Sequence, residues 1–183
     1  MALYTRKGDD GTTTFSCDQR LSKTSKIAEA LGVMDEANSA LGICKAISKR
    51  AEFVFQDKPV SDIIHRAQED MFIIQAELAG ADKTIPEDKV RWMEDIIDSI
   101  ENELPEITSF FVPGASELSA YMDWSRVVVR RAERRVVTVH EEGVQKVGKH
   151  SLAYMNRLSS LMYALVRLAN KQEGAEEKAP SYN

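Results

Sequence analysis

The sequence predicts an all-α protein: a five-helix antiparallel bundle preceded by an irregular, polar N-terminal loop. Three observations carry this reading. From residue 25 onward, apolar residues recur at alternating spacings of three and four in five separate segments. Glycine and proline punctuate those segments, and most of the links are short. No strand–helix–strand alternation occurs and no G-x-G-x-x-G follows a strand, which excludes a doubly wound nucleotide fold. Each apolar stripe must meet another stripe to leave water, and five stripes on one chain are satisfied by bundling.

The elements follow in order. Residues 1–24 hold "YTRKGDDGTTTFS", polar and rich in hydroxyls, with little a core could use. The first helix carries Ile27, Ala30, Met34, Ala37, Leu41 and Cys44. After Pro59, with Ser61 as cap candidate, the second carries Ile64, Ala67, Met71, Ile74 and Leu78 and stops at Gly80. The third opens with Pro86 in its first turn and runs through Val90, Met93, Ile97, Ile100 and Leu104 to Pro105. The fourth follows "VPGAS" and ends near Glu142, with a stripe through Leu118, Tyr121, Ser125, Val128, Ala132 and Val136. The fifth starts near Lys149 and carries Met155, Leu158, Met162, Leu165 and Ala169. Residues 25–173 form the bundle, and the polar tail 174–183 reads as flexible. The whole reads as a single domain.

Length and composition narrow the function. A chain of 183 residues buries a core without staples. The net charge of −5 excludes a general nucleic-acid binder. No apolar run approaches the roughly 18 residues a membrane span needs, and the start has no secretory h-region, so the chain reads as cytoplasmic. Cys17 and Cys44 are too few for a disulfide framework and lack zinc partners. Repeated Glu-x-x-His motifs of a di-iron bundle are absent, Asp62 with His65 stands alone, and His140 and His150 have no third partner in sequence. No G-x-S-x-G nucleophile elbow occurs.

The chemistry that remains is anion binding. The fourth helix holds Arg126, Arg130, Arg131, Arg134 and Arg135. At about 100° per residue, Arg126, Arg130 and Glu133 fall within roughly a 60° sector near the apolar seam, while Arg131 and Arg135 point elsewhere. Such a run is either a solvated face of i,i+4 pairs or a guanidinium fork for phosphate oxygens. Asn156 lies near the fifth helix's seam, as a register device or a reader of a ligand edge. Asp35 is a surface acid or a carboxylate partner for an arginine elsewhere. Phe110 and Phe111, before a Pro-Gly turn, form a core plug or wall a flat apolar ligand. The opening segment lacks the Walker A spacing. Its Gly8 and Gly11, Thr12 to Thr14, Lys7 and Lys23 suit a polyphosphate, and Asp9 or Asp10 suits Mg²⁺.

Along the chain stand, in order, "YTRKGDDGTTT", "RLSK", "DEANSALG", "FFVPGAS", "RVVVRRAERR" and "YMNRLSSLMY". This ordered set resembles the PduO-type ATP:corrinoid adenosyltransferases, from about residue 3 to residue 172. The resemblance implies a ferritin-like, cobalamin-adenosyltransferase-like bundle that assembles as a homotrimer with active sites between subunits. It implies transfer of the 5′-deoxyadenosyl group of ATP, with Mg²⁺, to the cobalt of a corrinoid such as cobalamin, releasing triphosphate. A reductase and an adenosylcobalamin-dependent client enzyme are implied partners; nucleic acid and membrane are not.

Carried over by position, Thr5, Arg6, Lys7, Gly8, Thr13, Thr14 and Lys23 wrap the triphosphate. Arg130, Arg131, Glu133 and Arg134 complete the nucleotide site, and Asn156 touches the nucleotide. Asp35 pairs with Arg126 across the subunit interface. Phe110 presses on the lower cobalt face, with Phe111 beside it in the corrinoid site. The implied catalytic set is Arg126, Arg130, Phe110 and Asp35. An aromatic wall that excludes axial ligands leaves four-coordinate cobalt, which is easier to reduce. The chain lacks D-x-H-x-x-G, which would supply an axial histidine. Departures from the usual pattern are Cys17 and Asp18 where glycines are common, Ala115 for a second glycine, and Ser160 for an aspartate. The altered Cys17–Asp18 loop motivates an alternative: a non-catalytic bundle that binds ATP or corrinoid as sensor or delivery protein.

Overall fold

The computed structural model describes residues 3–15 and 19–182. Five helices dominate it: α1 (Lys26–Arg50), α2 (Val60–Leu78), α3 (Glu87–Glu101), α4 (Glu117–Glu141) and α5 (Lys149–Glu173). All the stripe residues expected on α1, α2 and α5 are buried. On α3, Val90, Met93, Ile97 and Ile100 are buried, but the helix ends at Glu101, so Leu104 lies in the turn beyond it. α1 packs between α2 and α4, and α5 packs between α4 and α3. The core is one continuous cluster to which every helix contributes. Helix α4 departs from its expected stripe: Tyr121 is exposed, while Met122, Val129 and Val139 are buried. Because α4 touches both α1 and α5, its buried face takes in Met122, Val129 and Val139 beside the expected seam; that packing does not explain the exposure of Tyr121.

Local chemistry starts and stops the helices. Ser25 caps α1, its hydroxyl accepting from the Ala28 N–H at 3.3 Å. Ser116 and Ser119 form a reciprocal capping box on α4. Ser61, expected to cap α2, is instead buried within its first turn, and Pro59 holds the cap position without a side-chain bond. There the chain has already formed a small hairpin, β3 (Val54–Phe55) with β4 (Lys58–Pro59), which delivers it to α2. The N-terminal segment also contains a hairpin, in place of a wholly irregular loop: β1 (Thr12–Thr14) pairs antiparallel with β2 (Arg20–Ser22), Thr13 opposite Leu21.

Helix α5 has no cap of its own, since Gly148 holds that position. Glu77, from the last turn of α2, supplies one. Its Oε1 accepts from the Gly148 N–H at 2.8 Å and its Oε2 from the Ser151 hydroxyl. A buried carboxylate at a helix N-terminus satisfies free N–H groups and meets the positive end of the helix dipole. A Cβ on Gly148 would lie 2.4 Å from the Thr84 Oγ1, so only glycine fits there. Glu77→Ala is expected to destabilise the fold by about 2–4 kcal/mol, because it orphans buried donors. Urea unfolding measures it, and Glu77→Gln, which keeps an acceptor, should cost less.

A second buried polar group ties three helices together. Asp70 of α2 accepts from the Tyr154 hydroxyl of α5 at 3.0 Å and pairs with the Lys89 ammonium of α3. Burial, and then the Asp70 charge beside it, push the Tyr154 phenol upward and keep it a donor.

Beyond α5, the tail read as flexible makes specific bonds. Gly174 turns the chain with φ +64°, and the Glu177 carboxylate bonds Arg167 and Asn170. The difference has a physical source: Arg167 is buried, and a buried guanidinium holds whatever carboxylate can reach it. No helix among the described residues is long and apolar enough to cross a membrane.

Candidate active site

Between the 104–114 loop, α4, α5 and the tail lies a cavity of about 780 Å³. That is within the ~300–1,000 Å³ range of small-molecule sites. One wall is aromatic. Phe110 is 81% exposed, so it is no core plug. Phe111 is half-buried, with the Arg167 guanidinium 5.6 Å from its ring centroid. Arg126 and Arg130 of α4 and Tyr163 of α5 line the cavity as well. Arg126 donates through Nε to the buried Asp123 Oδ1 at 2.7 Å and lies 5.8 Å from the Tyr163 ring. Arg130 is exposed and makes no ion pair with the described residues. A cavity lined by aromatic rings and guanidinium groups can take a flat apolar body beside an anion.

The arginine run of α4 is split by the helix period. Arg131 pairs with Glu36 and Arg135 with Glu29 (3.4 Å), both on α1. Those two arginines therefore serve the α1–α4 seam, as their angular offset predicts. Arg130 shares the cavity with α5 residues, and the Asn156 Nδ2 of α5 donates to Glu133 Oε1 at 2.9 Å. The Asn156 Oδ1 accepts from Arg157, whose Nε reaches Glu94 of α3 at 2.8 Å. Arg134 is exposed and makes no ion pair with the described residues.

The N-terminal loop is organised by its own polar groups. Lys23 folds back so that its ammonium donates to the Gly8 carbonyl at 2.7 Å. A Cβ on Gly8 would stand 3.2 Å from both that nitrogen and the Thr12 carbonyl, a close approach that glycine permits. Asp10 accepts from the Thr12 hydroxyl (2.6 Å) and amide (3.0 Å) and pairs with Arg20 at 3.2 Å. Those bonds, the Thr12 hydroxyl first, hold the Asp10 carboxyl below its ordinary range. The Arg20 guanidinium also bonds the Lys7 carbonyl and the hydroxyls of Thr12 and Thr14. Thr13 lies on the opposite face of the hairpin from Thr12 and Thr14. Thr5 and Arg6 are exposed, Arg6 with φ +60°. Among the described residues, no hydrogen bond or ion pair joins residues 3–15 to α4 or α5.

A family model described as cobalamin adenosyltransferase matches residues 3–169. The chain belongs to the cobalamin adenosyltransferase family. A corrinoid adenosyltransferase of Mycobacterium bovis is 37% identical over 184 aligned positions, covering 92% of this chain and 88% of that protein. The corrinoid adenosyltransferase PduO of Citrobacter freundii is 36% identical over 91% of this chain, which spans only 49% of that longer relative. Among solved structures, a phenylalanine-to-histidine variant of a PduO-type ATP:corrinoid adenosyltransferase from Lactobacillus reuteri, complexed with cobalamin and ATP, superposes with a TM-score of 0.86. It shares 28% identity, covering 99% of this chain and 97% of that one. An arginine-to-lysine variant from the same organism, complexed with ATP, gives 0.84 at 27% identity, covering 97% and 99%.

Seen as a member of this family, the chain gathers only part of the expected site within one copy. Phe110, Phe111, Arg126 and Arg130 share the cavity, and Ser160 lines it too. Gly8, Lys7, Thr14 and Lys23 come together in the loop through Arg20 and Lys23. Arg131 stands apart, on Glu36. Asp35 is exposed on α1 and makes no ion pair with the described residues, while Arg126 is held by Asp123 of its own helix. Cys17 and Asp18 lie outside the described residues. His65 approaches only Glu69, at 3.8 Å, and the His140 Nδ1 accepts from the Val147 N–H, so neither enters the site. Arg20, Asp123 and Arg167 carry no sequence signal beyond their charge; only their partners reveal them.

Proposed function

We propose that this chain is an ATP:corrinoid adenosyltransferase. It transfers the 5′-deoxyadenosyl group of ATP to Co(I) of a corrinoid such as cobalamin, making adenosylcobalamin and releasing triphosphate. The observation that carries the reading is the cavity lined by both exposed Phe110 and unpaired Arg130, in a chain of this family. In the reaction cobalt attacks C5′, the Co–C bond forms, the C5′–O bond breaks, and the electron pair leaves with triphosphate. No protein nucleophile or general base is needed, which agrees with the absence of a catalytic triad from the sequence. The protein's task is to hold C5′ toward cobalt and stabilise charge on the departing phosphates.

Arg130, Arg134 and Asn156 suit the nucleotide, with Glu133 holding Asn156. Thr5, Arg6, Lys7, Gly8, Thr13, Thr14 and Lys23 suit the triphosphate, with Arg20 bracing their loop. Arg131 joins them by releasing Glu36. Asp10 is committed to Thr12 and Arg20, and the described residues contain no cluster of three His, Cys, Asp or Glu side chains. Mg²⁺ enters with the phosphates of the ATP substrate, and Asp9, whose side chain makes no ion pair with the described residues, is the loop carboxylate left to reach it. Phe110, with Phe111 behind it, covers one face of the corrinoid and excludes axial ligands. A reductase supplies the Co(I) state, and an adenosylcobalamin-dependent enzyme consumes the product.

The nucleotide loop and the arginine edge lie on separate parts of one chain. A homotrimer joins them across subunits, with Asp35 of one copy taking Arg126 of the next in exchange for Asp123. Exposed Ile43 on α1 and Trp124 and Val127 on α4 supply an apolar face for that contact. Light scattering should then give the mass of three chains. The activity itself is tested with ATP, Mg²⁺ and chemically reduced cobalamin, following the spectrum to adenosylcobalamin. ATP binding without conversion or triphosphate release would sink the enzymatic reading and leave a sensor or delivery protein.

A further inference from the structure

We infer that Arg167 and Glu177 form a clamp through which the C-terminal tail positions the Phe110 loop. It sets the corrinoid step and leaves ATP binding alone; this rests on the adenosyltransferase reading above. Arg167 is 4% exposed, among the most buried charges in the molecule. Its guanidinium has three attachments, one on the tail and two on the 105–112 segment. The Nε donates to the Glu177 carboxylate at 3.3 Å, an Nη donates to the Pro105 carbonyl at 2.9 Å, and the plane lies 5.6 Å from the Phe111 ring centroid. A buried guanidinium is stable only when a carboxylate and hydrogen-bond acceptors replace its water. Glu177 is the carboxylate paired with it, and its second oxygen accepts from the Asn170 Nδ2 at 3.2 Å.

One residue further, the Lys178 carbonyl accepts the Val112 N–H at 2.8 Å. The 105–112 segment is thus pinned at both ends: Pro105 by Arg167, and Val112 by the tail. Phe110 lies between the two pins and stays 81% exposed toward the cavity. Tyr182, further along the tail, lines the same cavity. The αL turn at Gly174, with the Ala175 N–H on the Asn170 carbonyl at 2.8 Å, returns the chain to α5 so that Glu177 can reach Arg167. Arg167 and Glu177 are positioning residues. They act on the corrinoid wall through the backbone that carries it.

The test compares the full chain with one ended after Glu173, and with Glu177→Ala and Glu177→Gln in the full chain. In the shortened chain, amide hydrogen exchange at residues 106–112 is expected to quicken about tenfold or more, as a lost pin should allow. In steady state, kcat/KM for the corrinoid should fall about tenfold in the shortened chain and in Glu177→Ala, with KM for ATP within about twofold. Glu177→Gln keeps one acceptor oxygen, enough for either Arg167 or Asn170, and should recover part of the loss. Unchanged exchange at 106–112 in the shortened chain would overturn the clamp. So would corrinoid and ATP constants that worsen together with the melting temperature. If the full chain makes no adenosylcobalamin, the activity reading fails, and the exchange comparison still decides whether the tail holds the loop.

Discussion

Arg130→Ala is expected to lower kcat/KM for ATP by about 100- to 1,000-fold, roughly 3–4 kcal/mol of transition-state stabilisation. The size follows from what Arg130 is free to do. Of the five α4 arginines, Arg131 and Arg135 neutralise α1 carboxylates and Arg126 is held by Asp123, while Arg130 meets the cavity with no ion pair among the described residues. A guanidinium at a departing triphosphate stabilises charge that appears only as the C5′–O bond breaks. Its loss should therefore fall on the nucleotide side of the kinetics, with folding stability unchanged. Arg135→Ala is the control: it removes a surface pair worth at most about 1 kcal/mol and should leave both substrates' constants within about twofold. An Arg130→Ala protein with intact ATP kinetics and impaired corrinoid kinetics would contradict the assignment.

Phe110→Ala should show the opposite division. Truncating a buried phenylalanine costs about 3–5 kcal/mol of stability. Phe110 is 81% exposed, so its removal should scarcely move the melting temperature. ATP affinity should also hold, since the residue is apolar and sits on the 104–114 loop, apart from the α4 arginines. The expected loss is in the cobalt step, on the order of 100-fold or about 3 kcal/mol in barrier. It should be larger when the reaction starts from Co(II) with a reductant than when pre-reduced Co(I) is supplied. That contrast separates exclusion of an axial ligand from simple loss of corrinoid contact, which would depress both equally. Parallel loss of ATP affinity in Phe110→Ala and Arg130→Ala would defeat this division of the site.

The bundle was legible because its cause is periodic. A helix repeats every 3.6 residues, so the residues that must leave water stand at fixed intervals, and Ile27 to Cys44 or Met155 to Ala169 announce their own burial. The same geometry separated Arg130 from Arg131 and Arg135, because angle around a helix is a property of spacing alone. The split of the arginine run could therefore be drawn before any contact was known. Tyr121 marks the limit of that method: it stands on the expected stripe of α4 and is nevertheless exposed, while Met122 beside it is buried.

What stayed hidden depends on groups far apart in the chain. Nothing local marks Glu77 as the cap of a helix that begins at Lys149, or Asp70 as the partner of both Lys89 and Tyr154. The tail "GAEEKAPSYN" is polar enough to read as solvent-exposed, and only the burial of Arg167 gives Glu177 a reason to be held. Likewise Phe110 and Phe111 are equivalent as letters; packing half-buries one beside Arg167 and leaves the other facing the cavity. The fold, and the candidate residues for an anion, follow from local periodicity and composition, which each segment expresses independently. Which charge meets which partner, and which aromatic faces the ligand, follows from desolvation in the assembled interior, and that has no meaning until the helices have met.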